Sequence, residues 1–221
     1  MTAALAFLAI IMATVIGWLL RQTLNSQPWE ANDPLENQPG RGVLNVEPAK
    51  IALLSFIAVV TSLFALFLSA YLMRMKLGDW RPLAEPALLW LNTVIIVLAS
   101  VAFQLTRGAT KRGQPSTVKV GLFVGGACTI LFLLGQLVAW QQLNASGFFL
   151  TSNPANSFFY LLTALHGLHL LGGMWVWGRT TTRLLTGADA QSVRLSVELC
   201  TVYWHYLLLV WIGLFALLLS T

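Results

Sequence analysis

The sequence predicts an all-α protein, a polytopic membrane helix bundle of six transmembrane helices with both termini on the periplasmic, outer side. Of its 221 residues, 57% are hydrophobic and 10% are charged, whereas roughly a quarter of a soluble domain is charged. A bilayer core about 30 Å thick needs about 20 apolar residues per helix. Six runs of suitable length are free of charge except for Glu198, and they cover residues 2–20, 51–73, 86–105, 120–140, 154–178 and 197–220.

The basic residues predict the orientation. The connections after the first, third and fifth runs hold ten Lys and Arg residues, whereas the opposite side holds three, Arg74, Lys76 and Arg81. Because cytoplasmic loops carry the excess of Lys and Arg, the side with ten is cytoplasmic. The net charge of +5 is therefore explained by topology, and it indicates no nucleic-acid binding.

The first run is predicted to be a retained membrane anchor. It lacks the basic n-region and the small-residue cleavage site of a secretory signal, and Arg21 follows it directly. A polar stretch rich in Pro, Gly and Asn comes next. We therefore divide the chain into residues 1–49, an N-terminal transmembrane anchor with a cytoplasmic loop, and residues 50–221, a five-helix bundle.

Local signals mark the start and the packing of later helices. Asn153 followed by Pro154 has the form of an N-cap with proline in the first turn, so the fifth helix should begin there.

Small residues allow helices to approach closely in lipid, and Gly121 and Gly125 form such a surface on the fourth helix. This spacing predicts close packing within the chain or against a partner.

All three histidines, His166, His169 and His205, fall inside apolar runs. Ionisable residues are costly to bury in a membrane, so each is a candidate for function. His166 and His169 are three residues apart and share a helix face, as do Glu198, Thr201 and His205. With a rise of about 1.5 Å per residue, His169 and His205 each lie roughly 12 to 14 Å from the cytoplasmic end. The two can therefore meet if the fifth and sixth helices are antiparallel.

Three interpretations fit these polar side chains of the fifth and sixth predicted helices. A b-type haem between His169 and His205 would need small neighbours that admit a porphyrin, but bulky residues such as Trp204 and Leu168 flank the ligands. A metal site of the histidines with Glu198 is possible by residue type, although the spacing does not force the ligands to converge. The interpretation that the sequence favours is a structural network between helices, or one that binds lipid headgroups.

Several segments resemble subunit III of the haem-copper terminal oxidases, the cytochrome c oxidase subunit III family. Residues 157–173 (SFFYLLTALHGLHLLGG) and 198–211 (ELCTVYWHYLLLVW) are similar to its HGLH and YWHF signatures. Four further segments match motifs in the family's order: 67–75 (FLSAYLMRM), 80–83 (WRPL), 86–101 (PALLWLNTVIIVLASV) and 132–143 (FLLGQLVAWQQL).

The resemblance implies an accessory subunit, not itself catalytic, of a cytochrome c or quinol oxidase in the bacterial inner (plasma) membrane. Such a complex reduces oxygen to water and pumps protons. The haem and copper would lie in the partner, catalytic subunit I, while this chain would hold no cofactor, metal or catalytic residue of its own and would bind phospholipid. Histidine content agrees, since a catalytic core needs about six histidine ligands and the chain has three.

The resemblance also implies roles for single residues. Five motif positions would form the structural or lipid-binding network: His166, His169, Glu198, Trp204 and His205. Arg74 and Trp80 would position lipid headgroups or the outer loop.

The chain also departs from the family. It has Leu208 where an aspartate usually follows the YWH motif, so no proton-supply role is carried over to that position. Two alternatives stay open, the subunit III-like accessory protein of nitric-oxide reductase and a haem-binding or transport membrane protein.

Overall fold

The computed structural model describes residues 47–81, 87–187, 189 and 192–220. Within these ranges it contains no strand and five helices, namely α1 (Pro48–Arg74), α2 (Leu88–Lys111), α3 (Pro115–Ala145), α4 (Pro154–Leu185) and α5 (Arg194–Leu219). Each is long and apolar enough to cross a membrane. The all-α class is confirmed. The first predicted helix, 2–20, lies outside the described residues, so the sixth helix, the orientation of the termini and the division after residue 49 stay predictions.

The helices extend beyond the apolar runs that predict them. The run 154–178 predicts α4, but the helix continues to Leu185, and α3 exceeds its run at both ends. The hydrocarbon core limits only the apolar length of a helix, and backbone hydrogen bonding continues into the polar interface. α4 begins where predicted: the backbone N–H of Ala155 donates to Asn153 Oδ1 at 3.3 Å, and Pro154 occupies the first turn.

Two glycines allow the chain to reverse after α3 and α4. Gly147 and Gly187 have φ angles of 85° and 98°. Residues other than glycine rarely adopt this left-handed backbone conformation, which commonly ends helices. Each helix is thereby followed by a short connection and a neighbour that packs beside it.

Four of the described helices form a ring and the fifth packs on its rim. α2 contacts α3 and α5, and α4 contacts the same two helices. Aromatic side chains fill the core between them, among them Phe103, Phe132, Trp204 and Trp211, each at most 1% exposed. α1 contacts α4 and α5 alone among the described helices. The rim position of α1 leaves room for a cleft beside it.

The glycines of α3 pack inside this chain. A Cβ at Gly121 would collide with Thr106 of α2, and one at Gly125 would collide with the Phe103 ring. The Trp177 ring of α4 covers Gly126 in the same way, and its indole N–H donates to Leu122 O at 2.9 Å. The spacing allows packing within the chain or against another protein, and the structure shows packing against helices of the same chain.

Two adjacent glycines of α4 provide a test of this packing. A Cβ at Gly173 would lie 2.9 Å from Tyr203 Cε1 and 3.1 Å from Trp204 Cη2, whereas nothing lies within 4 Å of one at Gly172. Gly173→Ala should therefore lower the free energy of unfolding by roughly 1 to 3 kcal/mol through overpacking. Gly172→Ala is the control and should leave it unchanged or raise it. Thermal unfolding in detergent measures both, and equal melting temperatures would contradict the packing.

Candidate functional site

Glu198 joins three helices at one end of the bundle. Arg107 Nη2 of α2 donates to Glu198 Oε1 of α5 at 2.6 Å, and Lys50 Nζ of α1 lies 3.7 Å from Glu198 Oε2. The side chains are partly exposed, as expected near a membrane interface. We call this ion-pair cluster the Glu198 bridge. It shows that α1 and α2 each present a cationic side chain to one carboxylate of α5.

His205 is held by α2. Its Nδ1 is hydrogen bonded to Ser100 Oγ, and its Nε2 lies 3.1 Å from Gln104 Oε1. The Ser100 hydroxyl can donate to Nδ1 while Nε2–H donates to Gln104, so a single neutral tautomer satisfies both bonds. Both nitrogens of His205 thus face α2 and not His169 of α4. We call these three side chains the His205 cluster.

His169 faces α1. Its Nδ1 is hydrogen bonded to the Leu165 carbonyl of its own helix at 2.7 Å. Its ring lies against two phenylalanines of α1, with centroid distances of 6.2 Å to Phe56 and 5.7 Å to Phe64. The Tyr203 hydroxyl of α5 donates to the backbone carbonyl of His169 at 3.1 Å. The residue therefore lies where α1, α4 and α5 meet.

His166 points into the core instead. It is fully buried, with its ring 5.8 Å from that of Phe132 and 5.4 Å from that of Trp211. Neither ring nitrogen has a hydrogen-bond partner among the described residues. Residues three apart on a helix differ by about 60° in direction, and this difference places His166 and His169 against different neighbours.

Tryptophan indoles connect the helices at several levels. Trp204 of α5, one of the predicted site residues, donates from Nε1 to Thr129 Oγ1 of α3 at 2.9 Å. Trp211 of α5 donates to Thr93 Oγ1 of α2 at 3.0 Å. Trp140 of α3 donates to Thr163 Oγ1 of α4 at 3.1 Å. These bonds give each indole N–H a partner on another helix, as buried indoles require.

An apolar cleft of about 620 Å³ opens between α1, α4 and α5. Its walls are mostly aliphatic and aromatic, and they include Phe56, His169, Gly172, Cys200 and Tyr203. This concave, apolar surface lies in the half of the bundle nearest the Glu198 bridge.

The outer connection holds Arg74 and Trp80. Arg74 donates two hydrogen bonds to the Asp79 carboxylate, and these hydrogen bonds lower the pKa of that carboxyl below its usual value. The Trp80 ring packs edge-on against Tyr71 at 4.8 Å. Asn153 Nδ2 donates to the Arg81 carbonyl at 2.5 Å. The connection is therefore attached to the start of α4.

The three histidines do not form a shared ligand set. Among the described residues no group of three His, Cys, Asp or Glu side chains could hold a metal ion. The His205 nitrogens are engaged by Ser100 and Gln104, while His169 lies against α1. The geometry therefore offers no facing histidine pair for a haem.

The predicted network is divided into separate contacts. The structure places Glu198 against α1 and α2, His205 against α2, and Trp204 against α3. His169 lies against α1, and His166 lies in an apolar cage that includes the rings of Phe132 and Trp211. Sequence reasoning missed the partners Arg107, Gln104, Ser100 and Thr129. A sequence signal exists for the first, because Arg107 and Glu198 both lie at the basic ends of apolar runs.

Known proteins resemble this chain over most of its length. Residues 38–220 match the family model for cytochrome c oxidase subunit III. The chain is 31% identical over 146 residues to a probable cytochrome c oxidase subunit 3 of Nocardia farcinica, covering 63% of this chain and 70% of the relative. It is 29% identical over 168 residues to cytochrome c oxidase subunit 3 of Synechocystis, with 73% and 71% covered. The subunit 3 of Thermostichus vulcanus is 26% identical over 173 residues, with 76% and 85% covered.

The apolar surroundings of His166 predict that replacing this buried histidine with leucine does not destabilise the protein. A buried polar atom without a partner costs roughly 1 to 3 kcal/mol, and leucine has a volume near that of histidine. His166→Leu should therefore leave the free energy of unfolding unchanged or raise it. Trp204→Phe, the comparison variant, should lower it by about 1 kcal/mol or more because Thr129 loses a bond. A large loss of thermal stability for His166→Leu would show that the imidazole makes a hydrogen bond that the cage lacks.

The pairing of Arg74 with Asp79 predicts a pH dependence at the outer connection. A carboxyl whose pKa is lowered by folding stabilises the protein above its unfolded pKa, and this contribution is lost as the pH falls through its folded pKa. The wild type should be more stable than Asp79→Asn at neutral pH, and the difference should vanish in acid below the usual range of aspartate. Asp189→Asn is the control, because Asp189 has no ion pair among the described residues. A difference from wild type that persists in strong acid would contradict the assignment.

Proposed function

The chain belongs to the cytochrome c oxidase subunit III family, and we propose that it acts there as an accessory, non-catalytic subunit that stabilises the catalytic subunit and binds phospholipid. The complex would be a haem-copper oxidase that reduces oxygen to water and pumps protons. Bacterial relatives support an inner-membrane location. Both termini would lie outside, because the connections rich in Lys and Arg mark the cytoplasmic side.

The observation that supports an accessory role most strongly is that polar side chains of the membrane helices are bonded to one another. His205, Trp204 and Glu198 are bonded to other helices of the same chain. Redox ligands need free nitrogen or sulfur atoms that converge on one point. Side chains already engaged between helices serve instead to hold a rigid surface against which a larger subunit can pack.

The apolar cleft supports phospholipid binding. It is lined by Leu53 of α1, Val176 of α4 and Leu199 of α5, which belong to the half of the bundle that carries Lys50 and Arg107. An acyl chain matches the apolar walls, and cationic side chains at the same end attract an anionic headgroup. The cleft and the basic end together form a site for one phospholipid.

Co-purification tests the assignment to an oxidase. A tagged chain extracted in mild detergent should bring with it a haem-copper catalytic subunit that mass spectrometry identifies, in constant proportion. A nitric-oxide reductase subunit recovered in its place would transfer the accessory role to that enzyme. A monodisperse chain that carries stoichiometric haem by itself would overturn the accessory role.

Filling the cleft tests lipid binding separately. Gly172 lines the cleft, and nothing lies within 4 Å of a Cβ there, so Gly172→Phe should displace acyl methylenes without disturbing the core. Losing two methylenes at roughly 0.8 kcal/mol each weakens binding about fifteenfold. Gly178→Phe is the control, since that position is equally open but lies outside the cleft. Phospholipid counted by mass spectrometry should fall only for Gly172→Phe, and equal retention in both variants would refute the site.

A further inference from the structure

One face of α5 is left uncovered between α1 and α2. The residues along it follow the alternating spacing of four and three that one helix uses to pack against another. We call this face the α5 seam, and it consists of Glu198, Val202, His205, Leu209, Ile212 and Ala216. Leu209 is 69% exposed and Ile212 49%.

Neighbouring helices bound the seam on both sides. On one edge, Tyr206 contacts Thr61 of α1 at 3.1 Å. On the other edge, Trp211 bonds to Thr93 of α2. α1 and α2 do not contact each other. The seam is therefore the floor of a groove between α1 and α2.

The His205 cluster makes this groove different from the exposed faces of α3 and α4. His205 and Gln104 are both exposed, and His205 lies seven residues, about 10 Å, deeper than the Glu198 bridge. In contrast, all exposed residues within 120–138 of α3 and within 161–176 of α4 are apolar. Polar side chains at such a depth normally face protein or water, since hydrocarbon offers them no partner.

The His205 cluster also contains a hydrogen-bond donor without an acceptor. His205 Nε2–H donates to Gln104 Oε1, whereas the amide nitrogen of Gln104 has no hydrogen-bond partner among the described residues. A lipid tail has no acceptor to offer it. A transmembrane helix that brings a carbonyl, hydroxyl or carboxylate oxygen to this depth would complete the network.

We propose that the α5 seam docks a transmembrane helix of the oxidase's catalytic subunit, with an acceptor oxygen of that helix bonded to Gln104. The proposal rests on the proposed function, because it requires that the chain belong to an oxidase complex. It adds which face of the bundle meets the catalytic subunit and which side chains select that partner.

Photocrosslinking in the assembled complex tests the seam. Leu209→p-benzoylphenylalanine places a reactive group on the seam, and Leu131→p-benzoylphenylalanine places it on the exposed face of α3, where Leu131 is 54% exposed. The seam variant should crosslink to one transmembrane peptide of the catalytic subunit, and the α3 variant should not. Crosslinks from Leu209 to lipid, to residues 2–20 of the chain or to a second copy would each overturn the proposal.

A matched pair of substitutions supplies a second measurement. Gln104→Leu should lower the amount of catalytic subunit that co-purifies about threefold, which corresponds to the loss of one hydrogen bond between membrane helices. The substitution also removes the acceptor of His205 Nε2–H, so the melting temperature of the chain should fall slightly while the bundle stays folded. Leu131→Ala should leave co-purification unchanged. If wild type brings the catalytic subunit and Gln104→Leu does so equally well, the seam proposal fails and the accessory function stands. If wild type brings no catalytic subunit, the accessory function itself fails.

Discussion

The structure depends on one constraint, that most polar side chains inside a bilayer find their partners in protein because hydrocarbon offers none. His166, whose ring nitrogens have no partner among the described residues, is an exception. Indole N–H groups donate to threonine hydroxyls on neighbouring helices. The Thr201 hydroxyl of α5 is shared between the Val197 carbonyl of its own helix at 2.8 Å and the Phe103 carbonyl of α2 at 3.1 Å. Each bond between helices fixes the rotation of one helix against another. Glycines then allow the backbones to approach closely enough for these bonds to form.

The sequence predicts the fold more fully than it predicts the site. Apolar length and missing charge locate every described helix, because the bilayer imposes both. The Asn153 cap follows from local chemistry alone. The partner of a membrane side chain is different, because it depends on helix rotation. His166 and His169 differ in direction by about 60°, and only the packing of Phe132 and Phe64 decides that one enters the core while the other faces α1.

The same constraint explains why the histidines resemble metal ligands in the sequence but do not act as one set in the structure. His205 is satisfied on α2 by Ser100 and Gln104, at the edge of an uncovered face. His169 stands beside an apolar cleft. Under our two proposals each marks a surface, the first for a protein helix and the second for a lipid. The proposed accessory role would use both surfaces, and the chemistry of oxygen would stay in the neighbouring subunit.

The central claim is that the chain supports catalysis without performing it. The most direct test is oxygen consumption by the purified oxidase before and after this chain is removed by detergent. The account predicts that the depleted enzyme starts at a rate close to that of the intact complex and loses activity after fewer turnovers, and that adding back chain and phospholipid restores its lifetime. A depleted enzyme that retains its haem and copper but has no initial activity would contradict the account.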